Sequence, residues 1–225
     1  MYSFNTLAFL VYPYIVLTVF VLGHSYRYLT RPYHWNARSS ELLDKESLRY
    51  GILLFHWGII VTFFGHLSGL LTPQPLLDRI GISAEMHEFM ALSVGMVVGS
   101  LAFIGLILLL SRRVTRPRIW SISSANDLVV VVLLLFVVTM GTFNAFFMRY
   151  DVLHSIAPWI QGIVTLRPNP ELMQPVPWTY KVHILAALTL LGFSPFTRLV
   201  HIWSVPVTYL YRRFIVFRRR ELEFF

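Results

Sequence analysis

The chain has 225 residues, 56% of them hydrophobic and 13% charged, with a formal charge of +8 and no cysteine. Soluble domains carry roughly 25% charged residues, so this composition excludes an ordinary water-soluble fold. The lack of cysteine excludes disulfides, iron–sulfur ligation and thiolate zinc sites, and leaves histidine to hold any metal.

Apolar runs occupy about residues 7–22, 51–71, 90–110, 128–147 and 182–203. Each approaches the ~20 residues with which a helix crosses a ~30 Å hydrocarbon core. They predict an all-α integral membrane protein with five transmembrane helices in one domain over residues 1–225. No basic residue precedes the first run, the earliest being Arg27, and no small-x-small cleavage pattern follows it, so it reads as a retained helix. Residues 30–49 are too polar for lipid and read as a partly helical connection. Residues 72–85, with Pro73, Pro75 and Gly81, read as a loop. The stretch SRRVTRPR, ending at Arg118, is a basic turn suited to lipid phosphates or a partner surface. Residues 148–181 form the longest connection, with five prolines, and its length suits a lid over a ligand entrance. Trp159, Trp178 and Tyr180 in it are expected as membrane-interface anchors.

The position of the charge decides what it means. Of 19 Lys and Arg, five lie in residues 27–49, four in 112–118 and six from Arg198 onward, while only Arg79, Arg149, Arg167 and Lys181 fall in the alternate connections. This alternation follows the positive-inside rule and predicts an outer N-terminus and a cytoplasmic C-terminus. Binding to nucleic acid explains none of it.

His56, His66 and His183 sit within apolar runs, and His201 lies near the end of the last. A histidine in hydrocarbon must face protein with its nitrogens occupied. His56 and His66 are about 15 Å apart along an ideal helix and about 80° apart in direction. His183 and His201 share a face about 27 Å apart, with Pro195 between them to bend the helix. The second and fifth runs are antiparallel, so His56 can meet His201 and His66 can meet His183. Two bis-histidine sites at two depths are what two b-type haems require, and they hold iron with no open position. Zinc would need more ligands than are nearby, and a proton relay would need an intramembrane carboxylate, which the second and fifth runs lack.

Gly58, Gly65 and Gly69 on the second run suit either close helix packing or the flank of a macrocycle. Arg27 and Arg198 are candidates for haem propionates, with snorkelling as the alternative role. Glu85, His87 and Glu88 cluster at the mouth of the third run, where a quinol would release protons, with ordinary helix-start charge as the alternative and the favoured role for Glu85.

Several strings resemble the gamma subunit of respiratory membrane-bound nitrate reductase, a cytochrome b subunit: PYIVLTVFVLGHSYRY, HWNARSSELL, LLFHWGIIVTFFGHLSGLLTP, SRRVTRPR and FSPFTRLVHIWSVPVTYL. The resemblance implies five helices and two b haems, with His56 and His201 on the haem near the cytoplasm and His66 and His183 on the outer one. It implies oxidation of menaquinol or ubiquinol near the outer haem. Electrons would then pass to an iron–sulfur beta subunit and on to a molybdenum alpha subunit that reduces nitrate. His87 is the closest basic match to a lysine that relatives can carry near the quinol site, with Gly65 and Gly69 beside it. Residues 36–43 and the basic tail 212–220 would form the docking surface for the partners. The alternatives are the cytochrome b subunit of a formate dehydrogenase, hydrogenase or heterodisulfide-type complex, and an anchor or transporter whose histidines only pack.

Overall fold

The computed structural model describes residues 4–31, 35 and 46–203. The segments 36–43 and 212–220, expected as a docking surface, lie outside the described residues. Helices α1 (Phe4–Thr30), α2 (Glu46–Leu71), α3 (Ala84–Thr115) and α4 (Ala125–Phe147) are long and apolar enough to span a membrane. A short α5 (Ile156–Val164) lies in the connection from α4 to α6 (Trp178–Phe193).

Four membrane-length helices are thus present among the described residues, not the five expected. Residues 182–203 do not continue as one helix. Instead α6, 16 residues and about 24 Å long, gives way to 3-10 turns over Ser194–Phe196 and Arg198–Trp203. Pro195 is the cause, because it has no N–H for the helical ladder and its ring clashes with the preceding turn. The carbonyls freed by the break find a partner on α1: the Arg27 guanidinium donates to the oxygens of Pro195 and Thr197, at 2.7 Å each. Gly23, one turn earlier on α1, leaves the space that Pro195 fills, since a Cβ there would lie 2.8 Å from the proline Cβ.

Close approaches fix the order of the bundle as α2–α3–α4–α6–α1. A Cβ on Gly58 would sit 2.5 Å from the backbone nitrogen of Ala102, and one on Gly105 would sit 2.3 Å from that of Phe55, so α2 and α3 touch backbone to backbone. Gly99 of α3 faces Thr142 of α4. Tyr180 of α6 donates to the carbonyl of Met148 at 2.8 Å, and Tyr12 of α1 bonds Thr189 of α6 at 2.7 Å. α2 and α1 end this arc, and no comparable helix seam joins α2 to α6.

The long connection is folded over one end of this arc. Trp159 of α5 is buried against Phe9, with ring centroids 5.7 Å apart, beside Ile156, Ile163, Met173 and Val176. It is therefore a core residue and not an interface anchor. Its indole N–H donates to the carbonyl of Phe9 at 2.8 Å. In an α-helix the amide four residues on would serve that carbonyl, but residue 13 is proline and has none. The turn Leu7–Val11 is correspondingly π-helical. Gln161 of α5 also donates to the carbonyl of Leu70, tying the connection to the end of α2.

The opposite end is basic. There Asp127, in a capping box with Ser124 at the start of α4, pairs with both Nε and Nη2 of Arg198 and lies 3.7 Å from Arg113 of α3. One buried carboxylate thus joins α3, α4 and the turn that carries His201. Asp127→Ala is expected to lower stability by about 3 kcal/mol, because it removes the buried carboxylate that two partly buried guanidinium groups share. Chemical denaturation in detergent measures this, and an unchanged midpoint would remove the carboxylate from the account of this end.

Candidate functional site

The gap between α2 and the α6 segment is bridged by histidine rings. His56 and His201 lie with ring centroids 6.4 Å apart and planes inclined at 58°. His66 and His183 lie 6.3 Å apart and inclined at 43°. Within each pair the two rings come from different segments, so helix geometry and the Pro195 break set the spacing. On α2 the ten residues between His56 and His66 amount to about 15 Å. On the other side α6 covers a similar rise from His183 to Phe193, and the 3-10 turns then bring His201 level with His56. The break that ends α6 accounts for the difference between 15 and 27 Å on ideal helices.

All four rings have the same second contact. Nδ1 of His56 bonds the carbonyl of Ile52 at 3.0 Å, that of His66 the carbonyl of Thr62 at 2.8 Å, that of His183 the carbonyl of Val137 at 3.0 Å, and that of His201 the carbonyl of Arg198 at 2.6 Å. A carbonyl only accepts, so in each neutral ring Nδ1 carries the hydrogen and Nε2 keeps the lone pair. This is the tautomer that a metal bound at Nε2 needs, with the ring orientation fixed from outside the coordination shell. An imidazole on each side of a metal, with bonds of about 2 Å, places ring centroids roughly 6 Å apart. Among the described residues no group of three or more His, Asp or Glu could hold a metal ion. The pairs therefore suit a metal whose remaining ligands come from outside the protein.

Other residues around the pairs were not singled out by sequence reasoning. Gly141 of α4 is one: a Cβ there would stand 2.8 Å from Cε1 of His183, so its bare backbone seats the ring. Val137, one turn away, supplies the carbonyl. A glycine within a long apolar run was the available signal for the first. Asp127, partner of Arg198, had one too, in the Ser-x-x-Asp pattern that opens the run.

The glycines of α2 divide by role. Gly58 is consumed in contact with α3, whereas a Cβ on Gly65 would meet nothing within 4 Å, leaving open space beside His66. Gly69 faces His87, whose Nε2 would lie 3.3 Å from an added Cβ. His87 is 8% exposed, and its Nδ1 meets Oε1 of Gln74 at 3.2 Å. The Gln74 amide nitrogen donates to Asp78 and to the carbonyl of Ile82, which turns Oε1 toward the ring. Nδ1 of His87 is thereby the donor, and Nε2 faces α2 with its lone pair. Glu85 and Glu88 are exposed on the same turn. Arg27 and Arg198 both stand at the basic end, the first on the carbonyls of the Pro195 break and the second on Asp127.

Apolar helices of membrane length, with paired imidazoles across the gap between two of the bundle's segments, define a multi-pass membrane protein with two histidine pairs in its bundle. The chain matches the nitrate reductase gamma subunit family over residues 5–220, and it belongs to that family. It is 40% identical to the nitrate reductase gamma chain of Bacillus subtilis (strain 168), over 94% of this chain and 96% of that one. It is 36% identical to the respiratory nitrate reductase 2 gamma chain of Escherichia coli (strain K12), over 96% and 98% respectively. A more distant likeness, 21% over 73% of this chain and 50% of the relative, is to an Hdr-like menaquinol oxidoreductase cytochrome b-like subunit of Archaeoglobus profundus.

Proposed function

We propose that this chain is the membrane electron-transfer subunit of a quinol-oxidising nitrate reductase. It holds two b-type haems, one between His56 and His201 and the other between His66 and His183. The observation that carries this reading is the shared tautomer: four rings in two pairs, each with Nδ1 on a carbonyl and the lone pair on Nε2. When bound, bis-histidine haem supplies one-electron transfer at an iron with no open position. Arg27 and Arg198, at the end of the bundle that carries His201, are the residues assigned to propionates there, beside their contacts with the Pro195 break and Asp127.

Quinol binds near the outer face, in the space beside Gly65 and Gly69, against His66. His87 receives a quinol proton at Nε2, the nitrogen that faces α2. The electrons leave toward an iron–sulfur beta subunit and a molybdenum alpha subunit, where nitrate is reduced in the cytoplasm; this chain alone reduces no nitrate. Each electron that fully crosses the membrane separates charge worth ~2.3 kcal/mol per 100 mV. The identities to gamma chains, over nearly full length, support this reading above a heterodisulfide-type role, for which the likeness is 25% over 75% of this chain.

The full chain, co-produced with its partner subunits, tests the proposal. Quinol is expected to drive nitrate reduction, and Gly65→Trp, which fills the space beside His66, is expected to slow quinol oxidation about tenfold or more. Chemical reduction of both haems by dithionite should be unaffected. A Gly65→Trp complex with unchanged quinol kinetics would move the quinol elsewhere, and a complex that cannot use quinol at all would overturn the subunit's role.

A further inference from the structure

Among the described residues, five buried side-chain nitrogen and oxygen atoms lack a hydrogen-bond partner, and three of them belong to Asn144 and Thr179: both amide atoms of the first and Oγ1 of the second. Asn144 is 3% exposed and Thr179 is 1% exposed. They belong to facing helices. The contacts of His183 with Gly141 and Val137, and of Tyr180 with Met148, set the register of α4 against α6 and place Thr179 level with Asn144. Asn144 is about one turn from Gly141 on α4, and Thr179 is one turn from His183 on α6. The cluster therefore begins beside the His183 ring and rises toward the end of the bundle covered by α5.

Hydroxyls elsewhere in these helices behave differently. Those of Thr18, Thr62, Ser100, Thr139 and Thr189 donate back to the carbonyl four residues earlier. Thr142 and Thr179 make no such bond. Buried polar atoms in a low-dielectric interior are costly unless hydrogen-bonded, so three of them at one seam point to an occupant. Its chemistry follows from Asn144: Nδ2 needs an acceptor and Oδ1 needs a donor. A carboxylate, such as a haem propionate, brings only acceptors. Water brings both, and it fits a seam closed between two packed helices, where a quinone ring does not.

We propose that Asn144 and Thr179 bind ordered water and so form a proton path from the level of His183 to the outer end of the bundle. The proposal rests on the reading of His66 and His183 as a haem site near the quinol. Of the two protons released on quinol oxidation, one goes to His87 and the other passes along water held by these side chains, each link accepting one proton and donating another. Asn144 and Thr179 are positioning residues, with no contact to the reacting atoms.

The test uses the whole complex carrying Asn144→Leu, Thr179→Val or Asn144→Ser, with two haems per wild-type chain established first. In Asn144→Leu and Thr179→Val both haems are expected at wild-type level. Quinol-driven haem reduction should slow about tenfold, with a larger solvent deuterium isotope effect and an unchanged KM for quinol. Asn144→Ser, which keeps a hydroxyl and leaves room for water, should restore most of the rate. If Asn144→Leu loses a haem, Thr179→Val decides by the same readouts. Wild-type rate and isotope effect in a Thr179→Val complex with both haems would overturn the water path. Absence of haem from the wild type would instead overturn the functional reading beneath it.

Discussion

Replacing His66 or His183 with alanine is expected to remove one of two b-type haem signals and leave the other in place. Each variant deletes one Nε2 from the pair whose centroids lie 6.3 Å apart, while the pair at 6.4 Å, about 15 Å away along α2, keeps both rings and both carbonyl contacts. His56→Ala and His201→Ala should do the reverse. Quinol-driven nitrate reduction should fall at least about 100-fold in all four, since even partners outside the coordination shell are worth 10–100-fold. Optical spectra of the isolated complexes, read with the midpoint potential of the surviving centre, check this. Loss of the His56 centre alone in a His66 variant would contradict the pairing.

The second large effect is expected at Gly105→Val. The added Cβ would stand 2.3 Å from the backbone nitrogen of Phe55 and 2.7 Å from its Cα, atoms that cannot rotate away. α2 must then separate from α3, and α2 carries one ligand of each pair. A cost of about 3 kcal/mol or more is expected, with both haems lost together. Gly65→Ala is the matched control, because no atom lies within 4 Å of its Cβ and nothing is displaced. Thermal unfolding in detergent and haem content measure both variants. A Gly105→Val protein with native melting and two haems would show that the helices part without consequence.

Four of the helices were legible in the sequence because each is an unbroken apolar run with polar residues at its ends. The fifth run was apolar as well, but its length overstated the helix. What ends it at Phe193 is Pro195 together with its receivers on α1, Gly23 and Arg27, about 170 residues earlier in the chain, and no local pattern links them. Trp159 shows the same limit. It was expected at the membrane interface, whereas the missing amide of Pro13 leaves a carbonyl that its indole serves.

At the site, residue type and antiparallel direction were enough to ask whether His56 meets His201 and His66 meets His183. The supports of the rings were not readable. The seat that Gly141 gives His183 and the carbonyl of Val137 depend on the α4–α6 register, which only the folded chain supplies. The role of Gly58 was ambiguous between packing and macrocycle, and backbone contact with Ala102 assigns it to packing. Asn144 lies near the end of one apolar run and Thr179 just before another, and no sequence pattern links them. Their alignment across the seam makes them one feature.

The central claim is that paired imidazoles hold haem iron within the bundle. A reduced-minus-oxidised optical spectrum of the purified full-length chain, with haem counted per polypeptide, tests it most directly. Two b-type haems per chain are predicted. A spectrum without b-type haem would contradict the account.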